Sequence, residues 1–265
     1  DRPAARDTMA AFAVRRISAT CIAGAHGRTP TDECRRRTML LDMSTLRIGI
    51  NGLGRIGRAA MRAAQLRASK LDWNGRVRQG PELEVVAVND LVELDKLAYL
   101  LRYDSVHGPS PVRVETKGQH LLWNGREIAV SHERDPTSIP WAQAGVDLVL
   151  ECTGALGQRA VLRGHLEGAR RVIVGQAAEV DQMIVIGAND HVLERKHSIF
   201  SAASCTTHAV APLLGVLHRA FGVRWGLIGT VHAYTAGQAL IDGPGAGEDL
   251  RRSRAAALNI VPTST

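Results

Sequence analysis

The sequence predicts an α/β fold, a doubly wound and mainly parallel sheet, on three observations. From Leu46 onward short apolar runs alternate with segments of helical period, the pattern of βαβ units. "RIGRAAMRAAQLR" (55–67) and "QRAVLRGHLEGA" (158–169) space their apolar residues like helices packed on a sheet. A hairpin interrupts, signalled by Asn124-Gly125 inside "HLLWNGREIAV", between two alternating segments. In order, strands are expected near 46–50, 83–88, 146–151, 171–174 and 198–203, with the hairpin over 120–130.

At 265 residues, 45% hydrophobic and 22% charged, the chain buries a large core and reads as two domains preceded by a tail. No apolar run reaches the roughly 18 to 20 residues that span a bilayer as a helix, which excludes such a segment. Four cysteines, Cys21, Cys34, Cys152 and Cys205, show neither CxxC pairing nor the density of a disulfide framework, so a reducing, cytoplasmic compartment is expected. The net charge of +7 argues weakly for nucleic acid: residues 1–45 hold eight arginines against five acidic residues, and no long basic run follows. With 4% aromatic residues, a stacking surface for single strands is unsupported as well. Residues 1–45 lack periodicity and are expected to be disordered or non-native, with a natural start at Met43. Asp32, Glu33 and Asp42 sit badly with a transit peptide, a class poor in acidic residues.

"INGLGRIGR" places Gly52, Gly54 and Gly57 in G-x-G-x-x-G spacing, after a predicted strand and before a predicted helix. In that context the first glycine permits the turn, the second lets a pyrophosphate approach the backbone, and the third lets helix and strand pack closely. The next strand, "LEVVAVND", ends in Asp90, whose carboxylate would accept the adenosine ribose hydroxyls and repel a 2′-phosphate. These features point to a Rossmann-type domain that takes NAD rather than NADP. The acid stands farther from the glycines than usual, so "SKLDWNGRVRQG" (69–80) reads as an inserted loop.

Cys205 precedes the helical pattern "TTHAVAPLLGVLHRAF", whose N-terminal dipole favours a thiolate. A lone cysteine is more often a small buried hydrophobe. The balance shifts with "GTVHAYTAGQ", an expected strand ending in His232, a histidine able to draw off the thiol proton if the fold brings the two together. The remaining histidines show no metal-ligand spacing, and no metal is assigned.

"INGLGRIGR", "VNDL", "RYDSVHG", "HERDP", "ECTG", "SAASCTTHAVAP", "TVHAYTAGQ" and "RRSRAAALNIVPTST" together resemble the phosphorylating glyceraldehyde-3-phosphate dehydrogenases of bacterial type, from Leu46 to Thr265. The resemblance implies a Rossmann domain over 46–204 and part of an α+β catalytic domain over 205–265. It implies an enzyme of glycolysis using NAD, an aldehyde phosphate and inorganic phosphate. The backbone at Gly54, Arg55 and Ile56 would hold the pyrophosphate, Asp90 the ribose, Arg134 the adenine side, and Thr153 the cofactor. Cys205 would be the nucleophile and His232 its base. Ser204, Thr206, Thr207, Thr235 and Thr265 would line the substrate and phosphate pocket. A homotetramer is implied for the complete protein.

The chain departs from that pattern in places. His208 stands where asparagine is usual, Gly175 and Gln176 replace small polar residues near the cofactor, and Gly229 replaces a threonine. The resemblance ends inside the second domain, about a third of the family chain short, so the sequence reads as a fragment expected to be inactive alone. Two further readings stand beside the first. One is erythrose-4-phosphate dehydrogenase, against which "HAYT" speaks; the other is a catalytically silent NAD-binding relative.

Overall fold

The computed structural model describes residues 45–67, 80–244 and 248–263. Of the tail expected over 1–45, all but Thr45 lies outside the described residues, as does the inserted loop except Gly80; Thr45 belongs to the first strand, where it pairs with Glu82, rather than to the tail. The chain divides into two units, the first ending at Ala203 and the second beginning at Ser204.

In the first unit the strands are β1 (Thr45–Asn51), β2 (Glu82–Asn89), β3 (Tyr103–Asp104), β4 (Gly108–Pro109), β5 (Val114–Lys117), β6 (His120–Trp123), β7 (Arg126–Ser131), β8 (Leu148–Glu151), β9 (Arg171–Val174), β10 (Gln182–Met183) and β11 (Ile199–Ser201). The helices are α1 (Arg55–Arg67), α2 (Leu94–Arg102) and the single turn α3 (Arg159–Leu162), which runs on as a 3-10 helix over Arg163–Glu167. Nine strands form one sheet in the order β10-β11-β9-β8-β1-β2-β7-β6-β5, while β3 and β4 pair separately. All neighbours from β10 across to β7 are parallel; β7, β6 and β5 are antiparallel, joined by the expected hairpin. Asn124 and Gly125 both take positive φ, 55° and 78°, as a two-residue hairpin turn requires.

The strands expected in this unit all form, with ends shifted by a few residues. The expected helix over 158–169 is shorter than its period suggests. Gly164 packs so closely on Pro136 and Thr137 that a Cβ would stand 2.9 Å from Thr137 Cγ2, and a glycine inside a helix weakens it. The sheet is covered on both faces. One apolar cluster joins Ile48, Ile50 and Val88 to Met61 of α1 and Leu97 and Leu101 of α2. The other joins Val149, Val172 and Val174 to Trp141 and Leu162. The fold is α/β, as expected.

The strand order reverses at β1. From there the chain winds outward through β2, then returns to place β8 on the other side of β1. Ligands of such sheets bind outside the carboxyl ends of the strands at this point. Asn51, Asn89, Ser131 and Glu151 end β1, β2, β7 and β8, so the loops that follow them are the ones positioned for a ligand.

Carboxylates pin the far elements. Asp181 accepts from the Ser198 and Ile199 N–H groups at 2.8 and 3.0 Å and from Arg159 Nε at 3.1 Å. Burial pushes its carboxyl up, but Arg159 and the two backbone donors outweigh this and lower the pKa to about 2. Asp104 is likewise held at about 2, where burial is outweighed by the N–H groups of His107 and Val106 and by Arg55. A carboxyl depressed in the folded state stabilises it above the unfolded pKa, near 3.9, and loses that contribution as pH falls through the folded value. The thermal midpoint should hold from neutral pH to about pH 5 and drop between about pH 4 and 2. Asp181→Asn should lower the midpoint at neutral pH and flatten that drop, which thermal melts across pH would read.

In the second unit the one α-helix among the described residues is α4 (Cys205–Phe221). Ser204 caps it: extended backbone, φ −107° and ψ 163°, turns the chain in, and Ser204 Oγ accepts from Thr207 N at 3.1 Å. Gly222, at φ 67°, closes the helix with its N–H on His218 O. Short 3-10 turns follow at Leu250–Ser253 and Ala256–Leu258. The strand expected to end at His232 does not form. A strand exists only through a ladder partner, and nothing among the described residues pairs with 222–235. Among the described residues no helix is long and apolar enough to cross a membrane.

Candidate functional site

In the first unit the glycine turn is built from the strand outward. Gly52 takes φ +90°, and a Cβ there would lie 2.8 Å from the Thr153 nitrogen, so only glycine fits against the chain leaving β8. Gly57 packs so tightly that its Cβ would stand 2.0 Å from the Gly52 carbonyl oxygen. Gly54 differs from both. No atom lies within 4 Å of where its Cβ would be, and its φ is ordinary. Neither packing nor conformation within the protein calls for glycine there; what a side chain would obstruct is a ligand approaching the N-terminus of α1. The turn therefore fits a dinucleotide pyrophosphate.

Asp90 stands where the reading put it, after β2, and holds the turn as well. Its Oδ2 accepts from Leu53 N at 2.7 Å and its Oδ1 from Val92 N at 2.9 Å. Beside it, His132 Nδ1 donates to the Asp90 carbonyl at 2.6 Å. Arg134 is exposed on the loop after β7, next to Glu133, whose N–H donates to Asn89 Oδ1 at 2.8 Å. Arg55 opens α1 with its guanidinium on buried Asp104, a side-chain partnership the sequence reading did not assign. Ile56 is exposed. Thr153 sits against Gly52 and is bound by both its N–H and its hydroxyl to Glu151 Oε1.

Gly175 leaves room for a small side chain, since its Cβ would meet Glu151 O and Ile56 Cγ2 at ordinary contact, 3.4 Å. Gln176 folds over the loop after β8, donating to Leu156 O at 3.1 Å.

In the second unit Cys205 is the first residue of α4, where helix dipole and unpaired N–H groups favour an anion. Its Sγ lies 3.1 Å from His232 Nε2. The other ring nitrogen, Nδ1, lies 2.6 Å from the Ala233 carbonyl, which can only accept. The Nδ1 proton is thereby fixed, leaving Nε2 as the atom that takes the thiol proton. Slight burial pushes the thiol up, but His232 and the N–H and hydroxyl of Thr206 outweigh it and lower its pKa. The His232 pKa is raised by the Ala233 carbonyl and then by Cys205. The two shifts agree: the pair titrates together towards thiolate and imidazolium.

Ser204 and Thr207 join hydroxyls at 2.8 Å behind the thiol. Thr235 N donates to Gln238 Oε1 at 3.3 Å, in the turn after His232. His208 turns its Nδ1 back to the Ser204 carbonyl, 3.3 Å away, in the first turn of α4. Thr265 lies outside the described residues. The fold thus brings Gly52, Gly57, Thr153 and Asp90 into one cluster, and Cys205, His232, Ser204, Thr206 and Thr207 into another. Cys152 is the contrast. Burial, then Glu151, pushes its thiol up to about 12.

One feature of the first unit escaped the sequence reading, a belt of buried polar side chains at the carboxyl ends of the strands. Glu151 is 1% exposed and His165 fully buried. Its only local signal was an acid closing the apolar run "DLVLE".

Comparison with known proteins agrees with this layout. Residues 46–159 match the family model described as glyceraldehyde 3-phosphate dehydrogenase, NAD binding domain, and residues 204–265 match that for the C-terminal domain of the same family. NAD is accordingly the cofactor of this domain type. The chain is 44% identical over 221 residues to glyceraldehyde-3-phosphate dehydrogenase of Thermotoga maritima. It is 45% identical over 223 residues to that of Geobacillus stearothermophilus, and 46% over 223 residues to glyceraldehyde-3-phosphate dehydrogenase 1 of Bacillus subtilis. Each alignment covers 83% of this chain and 62% of the relative, so the chain spans about three-fifths of their length. By both its domains and its relatives, this chain belongs to the glyceraldehyde-3-phosphate dehydrogenase family.

Proposed function

We propose that these residues serve NAD-dependent oxidative phosphorylation of glyceraldehyde 3-phosphate to 1,3-bisphosphoglycerate through a thioester on Cys205. The observation that carries the reading is the contact of Cys205 Sγ with His232 Nε2, 3.1 Å, in a ring whose other nitrogen is already committed. His232 takes the thiol proton, and the thiolate attacks the aldehyde carbon to form a C–S bond. The new oxyanion is steadied by the Cys205 N–H and by the imidazolium. When bound, NAD supplies the acceptor for the hydride that leaves this carbon. His232 returns its proton to the oxyanion, giving the hemithioacetal hydroxyl, and takes it back as the hydride leaves and the thioester carbonyl forms. Inorganic phosphate then attacks the acyl carbon, the C–S bond breaks, and the thiolate is restored with the acyl phosphate as product.

Ser204, Thr206, Thr207, Thr235 and Thr265 are proposed to line the pocket for the two phosphates, and Arg134 to flank the adenine. The domains proposed are a dinucleotide-binding domain over 46–204 and part of a catalytic domain over 205–265, acting in the cytoplasm as a homotetramer when complete. The 265 residues by themselves are proposed to bind NAD without sustaining turnover.

Asp90 supports NAD over NADP, since a carboxylate facing the ribose repels a 2′-phosphate. Because Asp90 also holds Leu53 N, Asp90→Gly should weaken both cofactors and narrow the gap between them, as paired titrations would read. Equal affinity of the unaltered chain for the two would refute this assignment.

To test the reaction, residues 46–265 are fused to the remaining C-terminal portion of the Bacillus subtilis relative. Phosphate-dependent NADH formation from glyceraldehyde 3-phosphate is expected, faster than from erythrose 4-phosphate and abolished by Cys205→Ser. Intact NAD binding with no NADH formed would favour the silent relative.

A further inference from the structure

The buried belt fixes the direction of every hydrogen bond in it. Trp141 Nε1, which can only donate, lies 3.0 Å from His165 Nδ1. That nitrogen must accept, so the ring carries its proton on Nε2 and donates it to Glu151 Oε2 at 3.1 Å. From the other end, the Glu133 N–H donates to Asn89 Oδ1, and Asn89 Nδ2 donates to Asn51 Oδ1 at 2.8 Å. Asn51 Nδ2 is thus turned to Glu151 Oε2, 2.5 Å away. Thr153 N donates to Oε1 at 2.8 Å, and the Thr153 hydroxyl is bound to the same oxygen.

Four groups converge on one carboxyl, three of them able only to donate towards it, and no cation among the described residues stands against it. Burial pushes the Glu151 carboxyl up, but donation from His165, Thr153 and Asn51 outweighs this and lowers its pKa. A carboxylate so surrounded takes the Thr153 hydroxyl proton in its hydrogen bond. The Thr153 oxygen accepts a bond from Ala155 N at 3.1 Å and keeps one lone pair free, so towards a ligand it can only accept. Thr153 follows β8, on the side of β1 away from β2 and Asp90, hence on the cofactor half opposite the adenosine ribose.

We propose that Glu151 is a positioning residue that fixes Thr153 as an acceptor for a hydroxyl or amide donor on the nicotinamide riboside half of the cofactor, not as a donor to its phosphates. This inference rests on the reading of the first unit as an NAD-binding domain. The polarity is locked at both ends, by an indole and by a backbone N–H, so no flip of Asn51 or Asn89 accommodates an amide at 151.

Calorimetric titration of the 265-residue chain with NAD and with ADP separates the possibilities, because ADP keeps the pyrophosphate and adenosine but lacks the second riboside. Thr153→Val should weaken NAD about five-fold or more and ADP less than about two-fold, while Thr153→Ser, which retains the hydroxyl, should keep NAD within about two-fold. Glu151→Gln should reproduce the Thr153→Val pattern. Equal losses for NAD and ADP in Thr153→Val would make Thr153 a phosphate donor and overturn the proposal. So would a Glu151→Gln chain that melts lower yet binds NAD unchanged, which marks a purely structural carboxylate. Failure of the unaltered chain to bind either ligand would instead overturn the NAD-binding reading beneath it.

Discussion

Gly57→Ala is expected to abolish dinucleotide binding. The added methyl would stand 2.0 Å from the Gly52 carbonyl oxygen, less than any non-bonded contact allows, and that oxygen is backbone. The turn or the first residues of α1 must therefore move. Relief by movement costs about 2 to 4 kcal/mol of stability, in the range of overpacked interiors. NAD affinity should fall at least about hundred-fold, because the amides that face the pyrophosphate move with the turn. Gly54→Ala separates ligand from fold. Its methyl meets no protein atom, so the thermal midpoint should stay put while NAD affinity falls about ten-fold. If Gly54→Ala left NAD binding untouched, the turn would not be the pyrophosphate site.

The second large effect separates two thiols of the same chain. Cys152 is half-buried beside Gly52 and Glu151 with its pKa pushed up to about 12, so at pH 7 its thiolate fraction is about one in 100,000. Cys205 is exposed at a helix N-terminus with its pKa lowered by His232. Iodoacetamide at neutral pH should label Cys205 faster by at least about a thousand-fold, read by peptide mapping over time. Comparable rates at the two sites would mean that the helix terminus and His232 do not activate the thiol.

The elements that position the cofactor turn were legible in sequence because their signals are local. β1, the glycines, α1 and β2 follow one another with the right periods, and Asp90 closes the last of them. The helix α2 was equally legible and passed over, for Leu94, Leu97, Ala98 and Leu101 mark its buried face. The two-residue strands β3, β4 and β10 were not, since each exists only through its partner. The same holds for 222–235, where an alternating segment finds no ladder. The belt from Trp141 to Asn89 draws its members from across the first unit, and topology alone assembles it. The contact of Cys205 with His232 lies between these extremes. Cys205 and His232 were each marked by their sequence context, and no spacing of 27 positions could have shown that Nε2 rather than Nδ1 faces the sulfur.

The pH dependence of Cys205 alkylation tests the central claim most directly, with the unaltered chain beside His232→Asn. If thiol and imidazole form the pair described, Cys205 titrates below an ordinary cysteine, whose pKa is about 8.5. The unaltered chain should then keep a high labelling rate through neutral pH, while the rate for His232→Asn falls away below about pH 8.5. Two superimposed profiles, both centred on an ordinary thiol, would show that His232 does not activate Cys205 and would remove the nucleophile from the account.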